Sequence, residues 1–576
     1  MHFPHPSKIV SVGEMQAIER AADAAGHSYA AMMERAGEAV ADVLSDRVDH
    51  SHTGALILVG PGNNGGDGLV CARHFQNSRV YVWKRATAPD HDYQGHYAAL
   101  VEQGTEIAHA DDDPDFAILG RWLTECGVVV DALLGTGSNR PITGQLADLL
   151  DVVGEFQAMA AQSACQVVAV DCPSGLNCDT GALDPHALPA DVTVTFAHAK
   201  HGHFRFPGAD AVGELIVADI GTDPALSAEV STAVLDAAWV ADHLPARPNR
   251  SHKGTYGKVM AAVGSINYPG AAFLSCAAAA RVGAGLVTAA VAQPVWTPLA
   301  ARLSEVTFVI LPSDMGVISA NGAKVLRQNL PGYDALLLGC GLTQEDPARD
   351  FVRGVLAGAQ AKAKSFVPFA AGRKEDPGSP QSWPPALAAP MPPTVIDADG
   401  LNCLAKIEDW PDLLPDQCVL TPHPAEMARL CGLDVADVTA DPWTLARQKA
   451  AEWGAVILLK GPFTAIAEPG GVLAVLPIAT SALATAGTGD VLAGAIAGLM
   501  AQGLSPFEAA CVGAWIHGQA GLLCAEAIGP AATLAGDVLA HLGPVLRELS
   551  QSPNLFLSQS PEIERGRERL HFHRRG

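Results

Sequence analysis

Residues 484–494 read ATAGTGDVLAG, a lone carboxylate, Asp490, between a Gly/Thr run and the apolar helical pattern VLAGAIAGLMAQGL. A helix starting there turns its unpaired N–H groups and the positive end of its dipole toward the loop, a setting that attracts phosphate. Asp490 would then be either an N-cap or a base delivering a hydroxyl to a bound phosphoryl group. Two further strings suit the second role. LLKGPFT (458–464) is a strand end carrying Lys460 and Thr464, and TPHPAEM (421–427) frames His423 between two prolines with Glu426 one turn later. Phosphoryl transfer rests on positioning and electrostatic stabilisation, so an anion-binding loop with one base suffices. The chain contains no GxxxxGK[ST], which excludes a P-loop. Each residue also has a plainer role: Lys460 as a solvated strand end, His423 as a turn residue, Asp397 and Asp399 in IDADG as loop caps.

A second constellation lies in the first half. GPGNNGGDG (60–68) combines flexible glycines with Asn63, Asn64 and Asp67, while Asp131 ends VVVDALLG, and Asp171 and Ser174 sit in VDCPSG. GxGxxG-like spacing alone is weak. Amide, carboxylate and hydroxyl oxygens together suit a hard cation, or two of the aspartates are caps.

The elements that must position these residues follow one grammar. ALILVG, VVVDALLG, VVAVD, VTVTF and GELIVADIG read as apolar strands, with EMQAIERAADAA and YAAMMERAGEAVADVL as helices before them. KVMAAVG, GLVTAAV, ALLLGCG, PTVIDADG, CVLTPH and AVILLKG continue the pattern in the second half. Fully apolar strands alternating with helices imply α/β architecture with mostly parallel sheets, whose ligands bind at the carboxyl ends of the strands. The expected organisation is a first domain over 1–230, a linker over 231–247, and a second domain over 248–550. The Pro/Gly/Ser-rich stretch 360–392 reads as an inserted loop, and 551–576 as a polar tail.

With 576 residues, 49% of them hydrophobic, the chain has material for two or more cores, and its net charge of −24 argues against binding nucleic acid or anionic membrane. Twelve cysteines without a CxxC pair, and an N-terminus without an apolar signal core, argue against a disulfide framework. The Ala/Gly-rich stretch 271–292 contains Arg281 and reads as a buried helix and strand rather than a membrane span. A soluble, cytoplasmic protein is expected.

HKGTYGKV (252–259), PGAAFLSCAAAARVGAGLVT (269–288), VIDADGLN (395–402), TPHPAEMARL (421–430), LKGPFT (459–464) and AGTGDVLAGAIAGLMAQG (486–503) resemble, in order, the NAD(P)H-hydrate dehydratase family over residues 245–545. The resemblance implies a ribokinase-like fold and repair of NADHX and NADPHX, the hydrated reduced cofactors. ADP or ATP, with Mg2+, phosphorylates the C6 hydroxyl, and phosphate then leaves. By position, Asp490 would be the base, with Gly487, Thr488 and Gly489 as anion hole. Lys460, Gly461, Pro462, Phe463 and Thr464 would hold the nucleotide with those glycines, and Ala271, Gly341 and His423 would contact the hydrate. LLLGCGLT departs from the family's GPGLG-like loop, with Cys340 in place of the proline and Thr343 in place of the last glycine.

NNGGDG, VVVDALLG, GTGSNRP, VDCPSG and EMQAIERAA are similar to the NAD(P)H-hydrate epimerase family over residues 10–225. That implies a Rossmann-like three-layer domain interconverting R- and S-NAD(P)HX. Asn64, Asp131 and Ser174 would bind potassium. Asn63, Asn64, Gly65, Gly66, Asp67, Gly135, Thr136, Gly137, Ser138, Asn139, Arg140, Pro141 and Asp171 would contact the hydrate. Asp171 is the expected proton-transfer group, and Lys200 would lie near phosphate. The implied whole is a bifunctional enzyme, a homo-oligomer acting on small molecules. Its rival is a ribokinase-like small-molecule kinase fused to a non-catalytic binding module.

Overall fold

The computed structural model describes residues 8–47, 54–84, 93–137, 139–159, 165–357, 390–551 and 567–570. Ser138, residues 360–389 of the expected 360–392 insert and most of the expected tail lie outside them. The chain divides into two compact units, Met1–Val234 with Leu557–Gly576, and Leu235–Phe556. Within the expected linker, Thr232–Val234 is a strand and Ala237–Asp242 a helix.

In the first unit seven strands, β1 (Gly54–Val59), β2 (Ser78–Val82), β3 (Glu106–His109), β4 (Cys126–Ala132), β5 (Gln166–Val170), β6 (Val192–Phe196) and β7 (Glu214–Ala218), lie in the order β3-β2-β1-β4-β5-β6-β7. All are parallel, and Arg567–Leu570 adds antiparallel to β7. Alternate residues feed two apolar layers: Ile57, Val59, Val130 and Val168 face one side, and Leu56, Leu58, Val129 and Val167 the other. Burial on both faces is why the strands read as unbroken apolar runs. Helices α1 (Val12–Ala24) and α2 (Tyr29–Ser45) begin at Ser11 and Ser28, whose hydroxyls cap them. Helix α3 (Asn63–His74) follows β1 directly. Strand order reverses between β1 and β4, the crevice where doubly wound sheets bind ligands. The glycines of NNGGDG let α3 close onto the strand ends: a Cβ at Gly65 would lie 1.9 Å from the Gly60 carbonyl oxygen.

The second unit holds a larger sheet: β8 (Lys258–Ala262), β9 (Leu286–Ala292), β10 (Thr307–Leu311), β11 (Ala335–Leu338), β12 (Thr394–Ile396), β13 (Cys418–Leu420), β14 (Val456–Leu459), β15 (Ala465–Ala467) and β16 (Leu473–Val475). Their order is β10-β9-β8-β11-β12-β13-β14-β15-β16, parallel through β14 and antiparallel for the last two pairs. Here the reversal falls between β8 and β11. Helices α4 (Pro269–Arg281), α5 (Pro424–Cys431), α6 (Thr488–Ala501) and α7 (Pro506–Ile528) follow. The small residues of α4 and α6 allow near backbone contact; a Cβ on Gly494 would stand 2.1 Å from the Ser275 carbonyl oxygen. Among the described residues no helix is long and apolar enough to cross a membrane. Both units are α/β with predominantly parallel sheets, as the sequence pattern implies.

Candidate active sites in the two units

In the first unit a cavity of about 920 Å³ opens at the β1/β4 crevice. Asn63, Asn64, Asp67, Gly135, Thr136, Gly137, Asn139, Arg140, Pro141 and Asp171 line it. Gly65 and Gly66 do not; they are packing positions, a Cβ at Gly66 falling 2.6 Å from the Met33 methyl. Sequence reasoning missed Glu19, Arg20 and Tyr29, which also line the cavity, together with Trp83 and Phe196. Helix α1 buries Met15, Ile18 and Ala22 and leaves Glu19 on another face, where an ordinary amphipathic pattern gives no sign of a site.

Asp171 occupies the turn after β5 with φ +63°, a left-handed conformation that a non-glycine residue keeps only when its surroundings enforce it. Its Oδ1 accepts hydrogen bonds from Thr195 Oγ1 at 2.8 Å and Lys200 Nζ at 2.5 Å. The Lys200 ammonium is fully buried and also donates to Thr195 Oγ1 and the Phe196 carbonyl. Its donors are committed, so it holds Asp171 rather than a phosphate, contrary to the sequence expectation. Burial pushes the Asp171 carboxyl up, but the Lys200 charge, then the Lys200 and Thr195 hydrogen bonds, outweigh it and keep the group below the usual carboxylate range. Burial drives Asp67 well above that range, with the charges of Asp171 and Glu19 adding to it. Glu19 is raised by burial against the pull of Lys200. One cavity thus contains an ionised carboxylate and two carboxyls inclined to keep their protons.

Asp131 and Ser174 form a buried pair beside it. Asp131 accepts from the Ser174 hydroxyl and N–H, both at 2.7 Å, and Ser174 Oγ accepts from the Leu134 N–H. Asn64 Nδ2 donates to the Leu134 carbonyl, while Asn64 Oδ1 is buried with no hydrogen-bond partner.

In the second unit, Asp490 is the third residue of α6, whose N-cap is Gly487 at φ +91° with no side-chain cap. Asp490 therefore does not cap the helix. The Thr488 hydroxyl is turned back onto the carbonyls of Leu483 and Thr485, so only its backbone faces the loop mouth. Lys460 reaches the same mouth, its Nζ 3.5 Å from where a Gly489 Cβ would stand. It donates to Asp397 Oδ1 at 2.9 Å and lies 3.8 Å from Glu426 Oε2. Asp397, weighed from sequence as a loop cap, is instead buried at the centre, also accepting from Thr421 Oγ1 at 2.6 Å. Asp399 does act structurally, accepting the Thr343 N–H at 2.9 Å. Burial, then the Asp397 charge, push the Asp490 carboxyl up to about 7.

Ala271 and Gly341 meet at the β8/β11 reversal, a Cβ on Gly341 falling 2.8 Å from that of Ala271. His423 caps α5, its Nδ1 accepting the Ala425 N–H while its backbone N–H donates to Glu426 Oε2. Its ring remains half exposed at the edge of the Lys460 network. Gly461 and Pro462 are exposed, whereas Phe463 is buried and the Thr464 hydroxyl closes the turn onto the Gly461 carbonyl. The last two shape the segment rather than offering free polar atoms.

Comparison with known proteins decides what these sites belong to. Residues 29–202 match the family described as YjeF-related protein N-terminus, and residues 259–367 and 383–542 match NAD(P)H-hydrate dehydratase. The bifunctional NAD(P)H-hydrate repair enzyme of Moorella thermoacetica is 38% identical over 86% of this chain and 88% of its own. The chain belongs to the bifunctional NAD(P)H-hydrate repair enzymes. The Escherichia coli member is 32% identical over 91% of this chain and 90% of its own. The ADP/ATP-dependent NAD(P)H-hydrate dehydratase of Bacillus subtilis, crystallised with ATP and Mg2+, is 27% identical over 55% of this chain and 98% of its own, with a TM-score of 0.44. The first half is thus the epimerase and the second the dehydratase; full-length similarity to repair enzymes disfavours the kinase fused to a binding module.

Thr343, in the dehydratase half where the family loop has glycine, takes φ +76° and buries its hydroxyl without a partner. A β-branched residue pays about 1–2 kcal/mol in that conformation. We expect Thr343→Gly to stabilise the dehydratase unit by about 1 kcal/mol, part of the relief being offset by the greater chain entropy of unfolded glycine. An upward shift in the melting transition that abolishes dehydratase activity checks this.

Proposed function

We propose that Asp490 is the base that takes the proton of the S-NAD(P)HX C6 hydroxyl as its oxygen attacks the terminal phosphoryl group of ADP or ATP. The carrying observation is the position of Asp490 at the first turn of α6, beside Gly487–Gly489 and Lys460. The N–H groups of that turn and the Lys460 ammonium stabilise the charge moving onto phosphate oxygens. Mg2+ accompanying the nucleotide would supply further positive charge to the phosphates. Gly461 and Pro462 flank the nucleotide, and Ala271, Gly341 and His423 border the hydrate. Phosphate then departs from C6 with its bonding electrons, the ring nitrogen supplies the pair that stabilises the cation left behind, and loss of a C5 proton restores the dihydropyridine.

In the epimerase, Asp171 takes the C6 hydroxyl proton as the C6–N bond opens to an aldehyde, its electron pair leaving on the ring nitrogen and re-forming the bond on reclosure. Rotation about C5–C6 and reclosure from the other face return the proton and invert the centre. Lys200 keeps Asp171 ionised and oriented. Asn64, Asp131 and Ser174 suit potassium: all their donors are hard oxygens, and the buried Asn64 Oδ1 lacks a partner. Potassium would supply a positive charge near the anionic dinucleotide. Asn63, Asp67 and the rim from Gly135 to Pro141 would contact the hydrate. Residues 1–230 and 248–550 would carry the two activities, in a cytoplasmic homo-oligomer.

The test is recovery of reduced-nicotinamide absorbance from a mixture of R- and S-NADHX with ADP or ATP, Mg2+ and K+. Wild type should recover all of it, Asp171→Asn should stop at the S fraction apart from slow spontaneous epimerisation, and Asp490→Asn should recover none. Full recovery by Asp490→Asn would remove it from the base role. Because the base must be unprotonated and Asp490 is pushed up to about 7, dehydratase kcat/KM should fall roughly tenfold per pH unit below 7 and level off above it. A rate flat from pH 5 to 8 would contradict the assignment.

A further inference from the structure

The departure at Cys340 places a thiol among the dehydratase carboxylates. Cys340 Sγ and one carboxylate oxygen each from Asp397 and Asp490 all lie within 4.8 Å of one another. They come from three elements: the turn after β11, the turn after β12 and the first turn of α6. Cys340 and Asp397 are buried. The thiol faces Asp397 Oδ2 at 3.7 Å, while Asp397 Oδ1 is held by Thr421 and Lys460. A carboxylate presenting one oxygen inward, with the other fixed by hydrogen bonds, is the arrangement that orients metal ligands.

The spacing and charge agree. Tetrahedral zinc, with bonds of about 2.3 Å to sulfur and about 2.1 Å to oxygen, sets its ligand atoms about 3.5 Å apart, close to the sulfur–oxygen separation already present. A thiolate and two carboxylates carry three negative charges, most of which a divalent ion offsets, with the Lys460 ammonium shared between Asp397 and Glu426 beside them. Sulfur in the set selects against Mg2+ and K+ and in favour of thiophilic ions.

We propose that Cys340, Asp397 and Asp490 form a binding site for a thiophilic divalent cation of the Zn2+ class, and that its occupation shuts off the dehydratase by engaging Asp490. As the metal–sulfur bond forms, the thiol proton passes to solvent and the ion sheds bound water. Binding stands on the ligand geometry, whereas the shut-off rests on the reading of Asp490 as base.

The test is a titration of chelator-treated full-length enzyme with Co2+ under anaerobic conditions, without nucleotide or hydrate. A thiolate-to-cobalt charge-transfer band saturating at one equivalent is expected in wild type, absent in Cys340→Ser and Cys340→Ala, and lost on adding Zn2+. Zn2+ should inhibit dehydration by wild type at concentrations at least about tenfold lower than those that inhibit either variant, each measured against its own zinc-free rate. The absence of that band from wild type, or its persistence in both variants, overturns the site. The band without zinc inhibition, or equal inhibition of all three proteins, overturns the shut-off while leaving the base assignment to its own assay.

Discussion

In each candidate site one lysine ammonium, fully buried at Lys200 and partly buried at Lys460, faces more carboxyl groups than it can neutralise. Lys460 meets Asp397 and Glu426 directly, with Asp490 beyond them. Lys200 meets Asp171, with Glu19 and Asp67 nearby. Burial leaves little water to spread the excess charge, so part of each cluster is pushed above the usual carboxylate range. In the first unit the carboxylate bonded to the lysine is held below the usual carboxylate range while Asp67 and Glu19 are pushed above it, and in the second Asp490 is pushed up to about 7. That separation of proton affinities within one cavity is what acid–base chemistry near pH 7 requires.

The fold produces both clusters by the same device. In each unit parallel strands run outward in two directions from a central pair, leaving a crevice between β1 and β4 in one and between β8 and β11 in the other. Asp131 and Asp397 lie at the ends of apolar strands, where chain direction rather than local propensity brings them to the crevice. Helix N-termini then close it, α3 carrying Asn63, Asn64 and Asp67, and α6 carrying Asp490. Glycine is needed where these helices press on strand ends, as Gly65 does on Gly60, so strings that look like phosphate loops are partly packing devices.

Much of this was legible in the sequence. Central strands such as ALILVG and VVAVD are buried on both faces and announce themselves as apolar runs. The flanking strands Ser78–Val82, Glu106–His109, Thr307–Leu311, Ala465–Ala467 and Leu473–Val475 were not read, because short or partly polar segments become strands only through a neighbour's ladder. The Asp490, His423 and Asp171 strings all fall on loops beside the two crevices. Asp397 looked like a cap and Lys200 like a phosphate ligand, since each owes its role to a partner distant in the chain: 63 residues separate Asp397 from Lys460, and 29 separate Asp171 from Lys200. Glu19 was hidden for a different reason, lying in a helix whose amphipathic pattern accounts for it fully without any site.

The most direct measurement is a titration of the Asp490 carboxyl itself, by carbon NMR of carboxyl-labelled full-length protein, with Asp490→Asn identifying the resonance. The expected result is a midpoint near 7 that moves down in Asp397→Asn, where the neighbouring negative charge is gone. A midpoint near the ordinary aspartate value of about 4, unchanged by that substitution, would contradict the charge imbalance on which this account of the site depends.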